Sequence, residues 1–261
     1  MMKYIFVAKV SMQEALAYSM NFLGRGVFYI IIISIMVFLW KAIYAQGVDT
    51  GDYDVNRMIW YLIIGELIAL SGARFYEEVS NDVKTGNIAY LMNKPYHYVN
   101  YQFAHYIGKT VIQLLVNCII AIPLGLIYVG SLDGFSFKYL PFIIVTILMG
   151  LCLDFMVNMA LALSAFWVEE NEPFRWIYQK LVFTLGGMLI PLELFPEKLY
   201  QISRFLPFAF VTYVPAKLTT DFNMTEFLQL AGIQFGYIIL MMLITMFIYQ
   251  RGVKKLNVNG G

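Results

Sequence analysis

Long apolar stretches alternate with short polar ones along nearly the whole chain. A helix needs roughly 20 mostly apolar residues to cross a bilayer, and six stretches are candidates, although the fifth is short and stops at Pro191. They are residues 26–45, 57–75, 110–130, 139–168, 176–190 and 227–250. The pattern therefore predicts an all-α integral membrane protein with six transmembrane helices, forming a single domain over residues 1–261.

The composition agrees with this class. The 261 residues are 60% hydrophobic and only 13% charged, whereas soluble domains are about 25% charged. The net charge of +1 gives no basic excess that would favour a nucleic-acid partner. Cys118 and Cys152 lie in apolar runs, and His97 and His105 have no third ligand at a suitable spacing, so we predict no metal site.

The basic residues predict an orientation. With the N-terminus placed inside, twelve of the 18 Lys and Arg residues fall in inner segments and six in outer ones. Because Lys and Arg accumulate in cytoplasmic loops, we expect a multi-pass protein of the cell membrane with both termini in the cytoplasm.

The N-terminal stretch, residues 3–22, precedes the first span. Apolar and small residues recur there at helical spacing: Ile5, Ala8, Met12, Leu16 and Ser19. This pattern predicts an amphipathic helix lying on the inner membrane surface. The alternative is a frayed N-terminus.

The inner loop, residues 76–98, is more elaborate than a tether between two spans requires. Its first half predicts a charged helix, with Glu78 and Asp82 on one face. Gly86 is a suitable C-terminal stop because glycine adopts positive φ without strain. The short apolar piece "NIAYLM" follows, and Pro95 ends it. A cytoplasmic partner would explain this arrangement; a solvated loop is the alternative.

The stretch before the last span is apolar yet repeatedly broken. It begins with Gly186 and Gly187, which favour close packing or a bend, and it holds four of the eight prolines: Pro191, Pro196, Pro207 and Pro215. Proline ends helices, and broken backbone at membrane depth is tolerated only within protein or beside a water-filled cavity. We therefore predict that residues 191–218 form a re-entrant broken-helix hairpin at the outer face, rather than a plain extracellular loop.

Two acids lie inside predicted spans, Glu66 in the second and Asp154 in the fourth, with Asn158 one turn from Asp154. A charge at the bilayer centre costs about 2.5–3.5 kcal/mol on insertion scales, so neither acid should face lipid. One interpretation is a translocation path that accepts a cationic or amphipathic substrate. The alternative is helix packing through hydrogen bonds to neighbouring polar side chains.

Three segments carry a resemblance to a known family. They are "EEVSNDVKTGNIAYLMNKP" in the inner loop, "AFWVEENEPFRW" after the fourth span, and "GGMLIPLELFP" followed by "LPFAFVTYVPAKL" before the last. In this order and with this span count, the chain resembles the type-2 permease subunit of ATP-binding-cassette (ABC) exporters.

The resemblance implies a division of labour. Two permeases pair, and each docks a separate cytoplasmic ATPase that binds ATP and Mg²⁺; the chain itself contains no phosphate-binding GxxxxGK[ST] loop. It also implies that the inner loop couples the ATPase to transport through Glu77, Glu78, Asp82, Gly86, Tyr90, Leu91 and Pro95. The expected activity is outward movement of an amphipathic drug, antibiotic or lipid-like compound.

Two other functions remain open on the residues alone. One is a stand-alone secondary transporter, driven by ions through Glu66 and Asp154. The other is a membrane enzyme or assembly factor without transport, although the HExxH, GxSxG and CxxC patterns of common enzymes are missing from the sequence.

Overall fold

A computed structural model describes residues 2–17, 20–48, 50–51 and 53–259, with side chains omitted at 20–23 and 256–259. All regular secondary structure in these residues is helical. The α-helices are α1 (Met2–Ala17), α2 (Met20–Ala45), α3 (Val55–Ser71), α4 (Tyr76–Lys84), α5 (Asn87–Met92), α6 (Tyr98–Val129), α7 (Leu140–Leu163), α8 (Glu172–Thr184), α9 (Glu197–Ser203), α10 (Tyr213–Thr220) and α11 (Met224–Asn259). Short 3-10 turns lie at Phe137–Tyr139, Ser164–Phe166, Leu192–Leu194 and Pro207–Phe210.

In the described part of the chain, five helical stretches are long and apolar enough to cross a membrane. They are Gly24–Ala45, Val55–Lys84, Tyr98–Val129, Phe137–Phe166 and Met224–Lys255. The prediction of an all-α membrane protein is therefore confirmed, whereas the count of six spans is not.

The predicted fifth span, residues 176–190, is not a continuous helix. α8 has 13 residues, which makes it about 20 Å long, well short of a bilayer core of roughly 30 Å. It ends at Thr184, before Pro191 is reached, because two glycines follow. A Cβ on Gly186 would lie 2.2 Å from the carbonyl oxygen of Val182, and Gly187 has a φ of +70°. The glycine pair, rather than the proline, ends this helix.

Several helices differ from the predicted spans at their ends. α3 ends at Ser71 instead of residue 75, and α6 begins at Tyr98 instead of residue 110. α11 continues to Asn259, past the predicted end at residue 250. Hydropathy marks only the apolar part of a helix, and α6 and α11 extend into polar sequence that packs on other parts of the protein.

The N-terminal helix α1 packs along the first half of α6. Ser11 is buried in this contact, and a Cβ on Gly108 of α6 would lie 2.3 Å from the carbonyl oxygen of Ala8. Lys109 forms an ion pair with Glu14 at 3.2 Å. The helical interpretation is thus correct for residues 2–17; of the predicted stripe, Ala8 and Met12 are partly buried and Ile5 and Leu16 are exposed, while Ser19 lies outside the described residues.

The helix assembly has two ends, which we call the loop end and the far end. The loop end holds α1, α4, α5 and the last turns of α11: the His97 amide donates to the Tyr4 hydroxyl at 3.0 Å, and the Lys255 ammonium donates to the Phe166 carbonyl at 2.9 Å. At the far end, the Asn56 amide donates to the Val129 carbonyl at 3.0 Å. The loop end contains segments predicted as inner, and the far end contains segments predicted as outer.

The close approach at Gly108 predicts a specific sensitivity. We expect Gly108→Ala to displace α1 and to destabilise the folded chain by about 1–3 kcal/mol, the usual cost of overpacking. Thermal unfolding of the chain in nanodiscs would measure this. Gly232→Ala in α11 is the matched control, since a Cβ there meets nothing within 4 Å. Equal stability of the two variants would contradict the packing of α1 on α6.

Candidate functional site

The inner loop is held in shape by a buried carboxylate. Asp82 is 7% exposed. One of its oxygens accepts a hydrogen bond from the Asn87 amide at 2.7 Å, and the other accepts one from the Tyr98 hydroxyl at 2.8 Å. Gly86, with a φ of +74°, makes the turn between α4 and α5. Asp82 thus joins α4, α5 and α6 and does not present its charge to a partner.

The remaining predicted coupling residues divide between outward and inward positions. Glu78 and Pro95 are exposed, and Tyr90 is 65% exposed. Leu91 is half-buried against the apolar cluster at the loop end, and Glu77 forms an ion pair with Arg175 of α8. Of the predicted coupling residues, Glu78, Tyr90 and Pro95 therefore face outward, and Glu77 also remains exposed beside its ion pair.

A buried asparagine that sequence reasoning missed ties this loop to the next one. Asn171 is 0% exposed. Its carbonyl accepts from the Tyr76 hydroxyl at 2.7 Å, and its side-chain oxygen accepts from the Ser80 hydroxyl at 2.8 Å. Its amide donates to the carbonyls of Leu161 and Ala162 at 3.2 and 3.1 Å. The one available signal was its position just before Glu-Pro, typical of a helix start.

Residues 185–212, which we call the broken segment, connect α8 to α10. Four of its carbonyl groups accept hydrogen bonds from side chains: Gly186 from Thr212 at 3.0 Å, Phe210 from Gln234 at 2.8 Å, Gly187 from Tyr61, and Phe205 from Tyr237. Unsatisfied backbone is costly in apolar surroundings. Hydrogen bonds from these side chains therefore offset the cost of interrupting the helical backbone.

The prolines of this region mark its short helical pieces. Pro191 and Pro196 come directly before the turn Leu192–Leu194 and the helix α9, and Pro207 opens the turn Pro207–Phe210. Pro215 causes no break, because it is the third residue of α10, where an amide donor is not required.

At the far end, a partly buried lysine joins three elements. The Lys217 ammonium on α10 pairs with Glu193 at 3.0 Å and with Glu226 of α11. Glu193 also accepts hydrogen bonds from the hydroxyls of Tyr213, at 2.6 Å, and Tyr53, at 3.3 Å. Burial alone would lower the pKa of Lys217, but the two carboxylates outweigh it and raise that pKa above its ordinary value.

Asp154 borders a cleft of about 220 Å³ between α3, α7, α8 and the broken segment. One of its oxygens, Oδ1, accepts hydrogen bonds from the Tyr178 hydroxyl at 2.9 Å and from the Asn158 amide at 3.0 Å. The structure therefore brings Asp154 and Asn158 together, as predicted, and adds Tyr178 from α8.

Glu66 has different surroundings. It is 6% exposed, and no described residue donates a hydrogen bond to it. It is not among the residues that line the Asp154 cleft. Other intramembrane polar groups serve packing: Asn117 receives a hydrogen bond from Gln113 at 3.1 Å and donates one to Ser71 at 2.9 Å.

The fold and these sites define a class: a multi-pass helical membrane protein whose inner loop is joined to the helix assembly by buried hydrogen bonds. Residues 30–260 match the model of the ABC-2 family transporter protein, so the chain belongs to this ABC transporter family and is a membrane permease component. No curated protein matches the chain.

The hydrogen bonds to the backbone after α8 lead to a testable prediction. Thr212→Val removes the donor to the Gly186 carbonyl and leaves that group buried and unpaired, which we expect to cost about 1–3 kcal/mol. Thermal unfolding in nanodiscs measures the loss. Thr184→Val is the control, because its exposed hydroxyl donates only to its own helix, at the Lys180 carbonyl. The prediction fails if the two variants unfold at the same temperature.

The Lys217 cluster predicts a stability difference that depends on pH. Lys217→Met should cost about 1.5–3 kcal/mol at pH 7, the range for hydrogen bonds to charged groups. Because the folded-state pKa is raised, this contribution is fully present below the unfolded-state pKa of about 10.4 and is lost as pH rises through the folded-state pKa. Unfolding measured from pH 7 to alkaline pH should show the gap between wild type and variant closing.

Lys198→Met is the matched control for this measurement. Lys198 is exposed in α9 and has no ion pair with a described residue, so its replacement should leave stability nearly unchanged at every pH. A wild-type advantage over Lys217→Met that persists unchanged above the titration of Lys217 would contradict the charge-pair explanation.

Proposed function

We propose that this chain is the membrane-spanning subunit of an ABC exporter. It docks a separate cytoplasmic ATPase through the inner loop, pairs with a second permease, and moves an amphipathic compound outward. The observation that carries the proposal is the construction of the loop: a short helix, α5, exposes Tyr90 while Asp82 and Asn171 hold its base against the spans.

The inner loop is suited to passing movement of the ATPase on to the helices. A short helix on a rigid base moves as a body, which is how domain closure in a partner is passed on. Glu77 and Asn171 link the loop to α8 as well as to α7. Movement of the loop therefore shifts α8, which carries Tyr178 of the Asp154 cleft.

The ATPase is a separate subunit in this proposal. The chain has no GxxxxGK[ST] sequence, so ATP and Mg²⁺ are bound by the partner. The loop end then lies in the cytoplasm with both termini, as the distribution of Lys and Arg favours, and the broken segment re-enters from the outer face of the cell membrane.

The exposed face of α8 supports pairing with a second permease. It combines Trp176 and Ile177 with the polar Gln179 and Lys180, all exposed. Polar and charged side chains at membrane depth normally face protein or a water-filled cavity rather than lipid. A second permease on this face would provide both a protein surface and a cavity for these side chains, with the Asp154 cleft beside the contact.

The exposed ring on α5 gives the test of docking. Tyr90→Ala removes a side chain of a type enriched among interface hot spots, whose truncation costs about 2 kcal/mol or more, so ATPase binding should weaken by more than about fivefold. Co-purification of the ATPase and drug-stimulated ATP hydrolysis in proteoliposomes are the measurements.

Phe137→Ala is the control for that experiment. Phe137 is an aromatic residue with 79% exposure in the loop between α6 and α7, away from the inner loop, and its removal should leave ATPase binding intact. If Tyr90→Ala and Tyr90→Asp both retain the ATPase as well as the wild type does, α5 is not the docking helix.

A further inference from the structure

We infer that the Asp154 cleft binds the ammonium group of an amphipathic amine. The role of this site in export rests on the proposed function, but binding itself does not. The cleft lies where the inner loop, through α8, can act on it, and its chemistry is specific enough to name a ligand class.

The cleft has apolar walls from every surrounding element. Ile68 of α3, Leu151 of α7, Val182 and Phe183 of α8, and Val211 of the broken segment contribute to them. Sites for drug-sized ligands measure roughly 300–1,000 Å³, whereas this cleft has about 220 Å³. It therefore accommodates a polar head and the first part of an apolar body, with the remainder outside.

The carboxylate of Asp154 is oriented and half-satisfied. Tyr178 and Asn158 both donate to Oδ1, and no described residue donates a hydrogen bond to Oδ2. That oxygen lies beside Gly72, where a Cβ would be in ordinary van der Waals contact with Oδ2, at 3.6 Å, and with the Tyr106 hydroxyl, at 3.4 Å. A carboxylate in apolar surroundings is costly without a charged partner, and Asp154, which lines the cleft, has the capacity to accept a further hydrogen bond from a ligand N–H group.

A second charged residue at the cleft, Lys180, does not make the interior a site for anions. Lys180 lines it too, but its side chain is exposed and its ammonium lies 5.6 Å from the Phe183 ring centre. Lys180 makes no ion pair with Asp154 within the described residues. The Lys180 side chain is exposed while Asp154 is partly buried, so the interior of the cleft favours a cation over a fatty acid.

The full chain in nanodiscs allows a direct test with tritiated octylammonium at pH 7. Scintillation-proximity binding is measured, with partition into empty nanodiscs subtracted. Octanoate and octanol have the same chain length and differ in head group. We expect saturable binding of octylammonium alone, and at least a tenfold loss of affinity in Asp154→Asn, because charge-assisted hydrogen bonds are the strong ones.

Two further variants keep the result decisive. Glu66→Gln changes a second buried acid outside the cleft and should retain the wild-type affinity. Ala69→Trp places a large ring at the exposed mouth of the cleft and should abolish binding even if Asp154→Asn does not fold. Wild-type affinity in a folded Asp154→Asn or Ala69→Trp protein overturns the proposal, as does equal saturable binding of octanol or octanoate.

The outcome is separable from that of the proposed function, because this assay contains no ATPase. If octylammonium does not bind but Tyr90→Ala still releases the ATPase, the exporter assignment stands and the amine site is wrong. If octylammonium binds at Asp154 but no ATPase docks, the site stands and the exporter assignment is wrong.

Discussion

The structure depends on satisfying the backbone of a chain that breaks inside an apolar assembly. Without water, each freed carbonyl must find a donor within the protein. In the broken segment, those of Gly186 and Phe210 are met by Thr212 and Gln234, and others by Tyr61 and Tyr237. Because these donors come from α3 and α11 as well as from the segment itself, the break holds the surrounding helices together.

α8 is the element shared by the two ends of the molecule. Its first turn is tied to the inner loop by the ion pair of Arg175 with Glu77. Its middle contributes Tyr178 to the hydrogen bonds of Asp154, and its last residues lead into the glycine pair. A helix so short has few packing partners of its own, which suits an element that shifts between two positions.

Hydropathy located most of the fold and failed where backbones come close. The long spans were predicted because apolar runs of sufficient length have few alternatives to crossing a membrane. The span at residues 176–190 is not confirmed, because α8 ends at Thr184 and the close approach of Gly186 to the Phe208 carbonyl is a tertiary feature. The same holds for α1, which packs on α6 through Gly108 and Ala8, a close approach that a stripe of apolar residues cannot reveal.

The sequence by itself determined the class, the order of the apolar stretches, the position of the inner loop and the family resemblance, because these follow from composition and local pattern. Tertiary structure decided what each polar side chain does. It turned Asp82 inward and Tyr90 outward, made Asn171 a junction, and gave Asp154 but not Glu66 a place in the cleft. A charged residue is written identically in the sequence wherever it lies. Its neighbours in the fold determine whether it packs, forms an ion pair or binds a ligand.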